Sequence, residues 1–124
     1  MDIVYLRDLK IPCVIGVWEW ERRIKQTVAI DIEMATDARV AARTDRLEDA
    51  LDYKAVAKHL TNYVSKSEFK LVETLAEKIA ETVLTEFKVA WVRVRVNKKG
   101  SIRGASAVGV VIERGVKPSG PATE

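Results

Sequence analysis

The stretch Val92-Arg93-Val94-Arg95-Val96-Asn97-Lys98-Lys99-Gly100 alternates apolar and polar residues as far as Asn97. Side chains on a strand have a period of two, so Val92, Val94 and Val96 share one face while Arg93, Arg95 and Asn97 share the other. Lys98 then falls on the valine side. Gln26 to Met34 repeats the pattern, with Val28, Ile30, Ile32 and Met34 facing one way and Thr27, Asp31 and Glu33 the other. Such strands bury one face and wet the other, as antiparallel sheets do. Ile3 to about Val14 and Ala105 to Glu113 supply two further strands, the first broken by Gly16 and the charged run WEWERRIK, the second following a turn at Gly100–Gly104.

Between the two strand pairs the period changes. From Asp52 onward Val56, Leu60, Tyr63 and Val64 recur at helical spacing, and Val72, Leu75, Ala76, Ile79, Val83 and Phe87 form a second stripe. The order β-β-α-α-β-β predicts an α+β fold: a four-stranded antiparallel sheet with two helices packed on one face. Two strand edges and a second, partly apolar sheet face are then left open, which points to assembly with other copies. The run GVKPSGPATE is poor in apolar residues and rich in Pro and Gly, so residues 116–124 are expected to be a disordered tail to a single domain of residues 1–115.

Composition narrows the function. The 124 residues are 48% hydrophobic and 31% charged, enough for one modest core. Twenty-one basic and 18 acidic residues are interspersed, so the net charge of +3 is no basic block and nucleic acid is not indicated. One cysteine, Cys13, one histidine, His59, and no apolar run near bilayer length argue against disulfides, a zinc site and a membrane partner. With no signal-peptide pattern at Met1-Asp2-Ile3, a reducing cytoplasm is the expected setting. No catalytic Ser-His-Asp pattern, phosphate-cradling glycine loop or paired metal carboxylates stand out.

Four residues remain as candidates, each with an ordinary alternative. Lys98 either snorkels to water or is held where lost solvation makes it an acid or base near neutrality. Glu73, in LVETLAE, starts a helix, where the macrodipole alone would favour a carboxylate. Tyr53, in ALDYKAV, follows a capping Asp52 and shares the Val56–Leu60 stripe, so a core tyrosine is the default. Glu21 lies in a charged loop and is expected to be solvated, while Trp18 and Trp20 beside it either pack or stack on a planar ligand.

IGVWEWERRIKQ, LDYKAV, LVETLAE and VRVNKKG, in this order and at these intervals, closely resemble the dihydroneopterin aldolases of folate biosynthesis, over about residues 1 to 115. The resemblance implies the tunnelling fold and a metal-free, cofactor-free retro-aldol cleavage of 7,8-dihydroneopterin. It implies that Glu73 anchors the pterin together with the backbone of Val72. Lys98 is implied as general acid/base, Tyr53 as a proton donor or shuttle from a neighbouring subunit, and Glu21 as a contact near the substrate's side chain. It also implies an octamer of two stacked tetrameric rings with sites between subunits. Two positions depart from many relatives: Ile15 stands where a histidine is common, and Asp52 precedes the tyrosine at a variable position. Dihydroneopterin triphosphate 2′-epimerase shares these features, and Arg22, Arg23 and Lys25 are the residues a triphosphate would want. A small RNA-binding module is the reading from another class, with VRVRVNKK as its surface.

Overall fold

The computed structural model describes residues 1–100 and 102–118. Its sheet consists of β1 (Asp2–Cys13), β2 (Gln26–Thr36), β3 (Trp91–Lys99) and β4 (Ala107–Gly115), antiparallel throughout and in that spatial order. Val28, Ile30, Ile32 and Met34 of β2 are fully buried, as are Val92, Val94 and Val96 of β3, which is the face their alternation assigned to the core. Register pairs Ile30 with Val96, Ile32 with Val94 and Met34 with Val92, so the apolar side chains form continuous rows across the two central strands.

Three α-helices connect β2 to β3: α1 (Ala38–Thr44), α2 (Tyr53–Ser65) and α3 (Val72–Glu86). Asp52 caps α2 by accepting a hydrogen bond from the Ala55 amide at 3.0 Å, as expected. Val56, Leu60 and Val64 of α2 and Leu75, Ala76, Ile79, Ala80 and Val83 of α3 are buried, with α2 over β1 and α3 over β3 and β4. The α+β fold with two long helices on one sheet face is therefore present.

The third helix corrects the two-helix order. Helix α1 is capped by Asp37 and closed by Asp45 in the left-handed region at φ 55°, and none of its residues is buried. It is built by its caps, and without a buried stripe it leaves no hydrophobic period in the sequence. Strand β4 also begins two residues later than the Ala105 start read from composition.

The open sheet face carries charges as well as apolar residues. Asp31 lies opposite Arg95, and Arg93 sits between Glu33 and Glu113. On the same face Tyr5, opposite Glu33, and Val111, opposite Arg95, are exposed, so the surface is partly apolar as expected, with opposite charges set across the strands. At the chain's end, the Val116 amide donates to the Ala90 carbonyl at 2.9 Å and the Lys117 ammonium lies 5.4 Å from the Trp91 ring centroid. The rest of the expected tail, residues 119–124, lies outside the described residues.

Candidate active site

Lys98 is the last core-facing residue of β3, opposite Val28 on one side and Val108 on the other. Its position at the strand end carries it past the valines, yet it is only 8% exposed. Burying an ammonium is tolerable only with a partner of opposite charge. The partner is Glu21, 4% exposed, whose carboxylate accepts a hydrogen bond from Lys98 Nζ.

The expectation that Glu21 would be solvated is therefore wrong, and the reason is local geometry. Residues Glu19–Arg23 form a 3₁₀ helix, which turns Glu21 inward while Glu19 and Arg23 pair with each other in solvent. Gln26 Nε2 donates to Glu21 Oε2 at 3.1 Å and to the Ile15 carbonyl at 2.9 Å, and the Trp18 amide donates to Oε1 at 3.3 Å. Burial alone would raise the Glu21 pKa; the hydrogen bonds from Lys98, Gln26 and Trp18 outweigh it and hold the carboxyl below its usual range. Gly16 makes room for this arrangement. Its φ is +130°, and a Cβ there would stand 2.3 Å from the Glu21 carboxylate.

Beside the pair opens a cleft of about 420 Å³, lined among others by Trp18, Trp20, Val72, Glu73 and Lys98. Glu73 is the second residue of α3, whose first turn has no side-chain cap. A carboxylate there has the helix dipole behind it and solvent in front. The cleft thus has a carboxylate of exposed character on one wall and a buried ion pair on the other. Trp18 and Trp20 are exposed, so the packed-aromatic reading fails for both and they form part of the rim. Cys13 is buried nearby; burial pushes its thiol pKa up, partly offset by a Ser67 hydrogen bond and the Lys98 charge.

Of the residues singled out in the sequence, the structure brings together Glu21, Val72, Glu73 and Lys98. Tyr53 is not among them. It is 54% exposed at the start of α2, not packed in the core, because as the first helical residue it precedes the buried stripe. It lines a separate groove of about 600 Å³ with Leu47, Leu51 and Lys58. Sequence reasoning gave Gln26 no role and missed the clasp made by Arg22, described below. Gln26 lies within the IGVWEWERRIKQ stretch, but a single glutamine at a strand start gives no signal of its own.

Comparison with known proteins points one way. The dihydroneopterin aldolase family model matches residues 4–113. Dihydroneopterin aldolase of Escherichia coli strain K12 is 44% identical over 115 residues, 93% of this chain and 94% of the relative. The atomic-resolution crystal structure of the E. coli enzyme in complex with neopterin superposes with a TM-score of 0.90 at 43% identity, covering 93% of this chain and all of that one. A dihydroneopterin triphosphate 2′-epimerase of Pseudomonas aeruginosa is more distant, 28% identical over 112 residues, 90% of this chain and 91% of the relative. With the family model spanning most of its length and the fold agreeing with that match, the chain belongs to the dihydroneopterin aldolase family.

Proposed function

We propose that this chain cleaves 7,8-dihydroneopterin by a retro-aldol reaction to 6-hydroxymethyl-7,8-dihydropterin and glycolaldehyde. The observation that carries the reading is that a buried Lys98–Glu21 pair and the Glu73 carboxylate line one cleft. Removal of the 2′-hydroxyl proton breaks the C1′–C2′ bond and releases glycolaldehyde. The electron pair moves into the substrate's own N5=C6 imine, and C1′ is then protonated. The ring is the electron sink, so the reaction asks the protein for orientation and proton traffic and for neither a metal nor a Schiff base.

On this reading Glu73 accepts two parallel hydrogen bonds from the pterin 2-amino group and N3–H, and the backbone of Val72 meets the ring edge. Lys98 is the general acid/base, and Glu21 both holds its ammonium and meets the substrate's side chain. Tyr53 serves as proton donor or shuttle from a neighbouring copy. Its exposure and its distance from its own chain's cleft support that assignment, as do the free edges of β1 and β4. The assembly we infer is an octamer of two tetrameric rings built from residues 1–115 of each chain. A cytoplasmic setting fits the single buried, unbridged cysteine.

Two other readings fare worse. The triphosphate epimerase reading is disfavoured by the more distant match to that enzyme, and Arg22, Arg23 and Lys25 do not line the cleft, whose basic side chains are Lys70 and the Glu21-paired Lys98. Epimerisation at C2′ remains a side reaction of the same chemistry, since re-addition of glycolaldehyde can use either carbonyl face. The RNA reading loses its surface, because Arg93 and Arg95 each face an acidic residue across the sheet.

The deciding experiment incubates purified protein with 7,8-dihydroneopterin and a chelator, and separates the products. Equimolar 6-hydroxymethyl-7,8-dihydropterin and glycolaldehyde are expected. Formation of the C2′ epimer alone, activity that needs the triphosphate instead, or no reaction overturns the assignment.

A further inference from the structure

Arg22 follows Glu21 on the same 3₁₀ helix, and its side chain leaves on the opposite side. Nη1 donates to the carbonyls of Gly16 at 3.0 Å and Phe69 at 3.1 Å, and Nη2 donates to the carbonyl of Glu68 at 2.5 Å. Gly16 belongs to the loop that carries Glu21. Glu68 and Phe69 belong to the segment between α2 and α3 that leads into Val72 and Glu73.

One guanidinium thus ties the Glu21 loop to the approach to α3 through two charge-assisted hydrogen bonds, and braces its own loop with a third. Among the described residues the other hydrogen bond between these segments runs from the Gly16 amide to the Phe69 carbonyl, at 3.4 Å. That is the weak end of the range, and it shares its acceptor with Arg22. Helix α3 is fixed by its own buried stripe and Glu21 by its bonds to Lys98, Gln26 and Trp18, so what Arg22 adds is the tie between the two. We propose that Arg22 is a positioning residue: it fastens the Glu21 turn to the approach to α3 and so sets the spacing between the Lys98–Glu21 pair and the Glu73 carboxylate.

The proposal rests on the pterin-cleavage reading only for its kinetic consequence. A fork of donors on a planar group is what reaches three carbonyls at once. Lysine offers a single ammonium, and methionine keeps the stem without a donor. If the spacing matters to substrate capture, its loss weakens binding more than it slows a proton transfer within one wall.

The test compares wild type, Arg22→Met and Arg22→Lys, by steady-state kinetics with 7,8-dihydroneopterin and by amide hydrogen exchange. Arg22→Met is expected to raise KM about tenfold with kcat within about threefold, and Arg22→Lys to fall between it and wild type. Exchange should quicken at Gly16 and at residues 68–73 while the amides of β2 and β3 keep their protection. An unchanged KM, or a fall in kcat matching a smaller folded fraction at constant KM, overturns the proposal. Should Arg22→Met fail to fold, Arg22→Lys carries the same comparison. If wild type leaves dihydroneopterin intact, the reaction assignment fails, and the exchange rate at Gly16 alone decides whether Arg22 holds the walls together.

Discussion

A buried lysine and glutamate form a pair whose parts are worth much more together than singly. Removing Lys98 leaves a desolvated carboxylate still served by Gln26 and the Trp18 amide, so Lys98→Met is expected to cost about 3 kcal/mol, the low end for breaking a buried pair. Adding Glu21→Gln to it removes the orphaned charge and should recover much of that loss, a comparison urea denaturation resolves. The same carboxylate predicts an acid response. Its folded pKa lies below the ordinary value of 4.5, so as pH falls through that value the unfolded chain takes up the proton first. Wild type should therefore lose stability with falling pH below about 4.5, and Glu21→Gln should lose less over that window. Glu77, with Arg114, and Asp37, with Arg39, also have lowered pKa values, but both variants keep them and they cancel in the difference. Catalytic consequences divide differently. Lys98→Ala should cut turnover by about 10²–10⁴ with pterin affinity little changed. Glu73→Ala should weaken pterin binding about 100-fold, and titration with a pterin would count against the assignment if the two effects came out reversed. What the sequence could and could not reveal also divides by residue. Parity along β3 put Lys98 on the core face, but its partner stands 77 positions away, so nothing local marked Glu21 as buried.

At the scale of elements, legibility followed burial. β2, β3, α2 and α3 each bury one face, so their periods of 2 and 3.6 were written in the apolar residues. Helix α1 buries nothing and was invisible to that signal. The start of β4 was misplaced because Ala105 and Ser106 carry no periodic information. What fixes β4 is a contact that composition does not reveal. Gly109 lies opposite Asn97, and a Cβ at Gly109 would stand 1.9 Å from the Val96 carbonyl oxygen. Any larger residue must push the two strands apart and break their ladder. Gly109→Val is expected to destabilise the fold by more than about 3 kcal/mol in thermal or urea unfolding. Because Val108 pairs with Lys98 and lines the cleft, the loosened strand should also disturb pterin binding before the protein unfolds.

Over the whole molecule, the residues to which the proposed reaction assigns roles fall in two places. The cleft holds Lys98, Glu21 and Glu73, while Tyr53 stands exposed in a groove of its own. Exposed apolar side chains rim the cleft, among them Trp18 at 65% and Trp20 at 60%, and among the described residues the sheet ends in two unpaired edges. A lone chain would carry these as liabilities; the ring assembly proposed above would cover the edges and bring a tyrosine to each cleft. The consequence can be measured without a structure of the assembly. Tyr53→Phe and Lys98→Ala are each expected to be nearly inactive, since either removes one arm of the proton traffic from every site. When the two variants are unfolded together and refolded as a mixture, random assembly places an intact Tyr53 beside an intact Lys98 in about a quarter of the sites. Activity should reappear at roughly that fraction of wild type. A mixture as inactive as its components would mean that Tyr53 works within its own chain or not at all, and would remove the shared site from the mechanism.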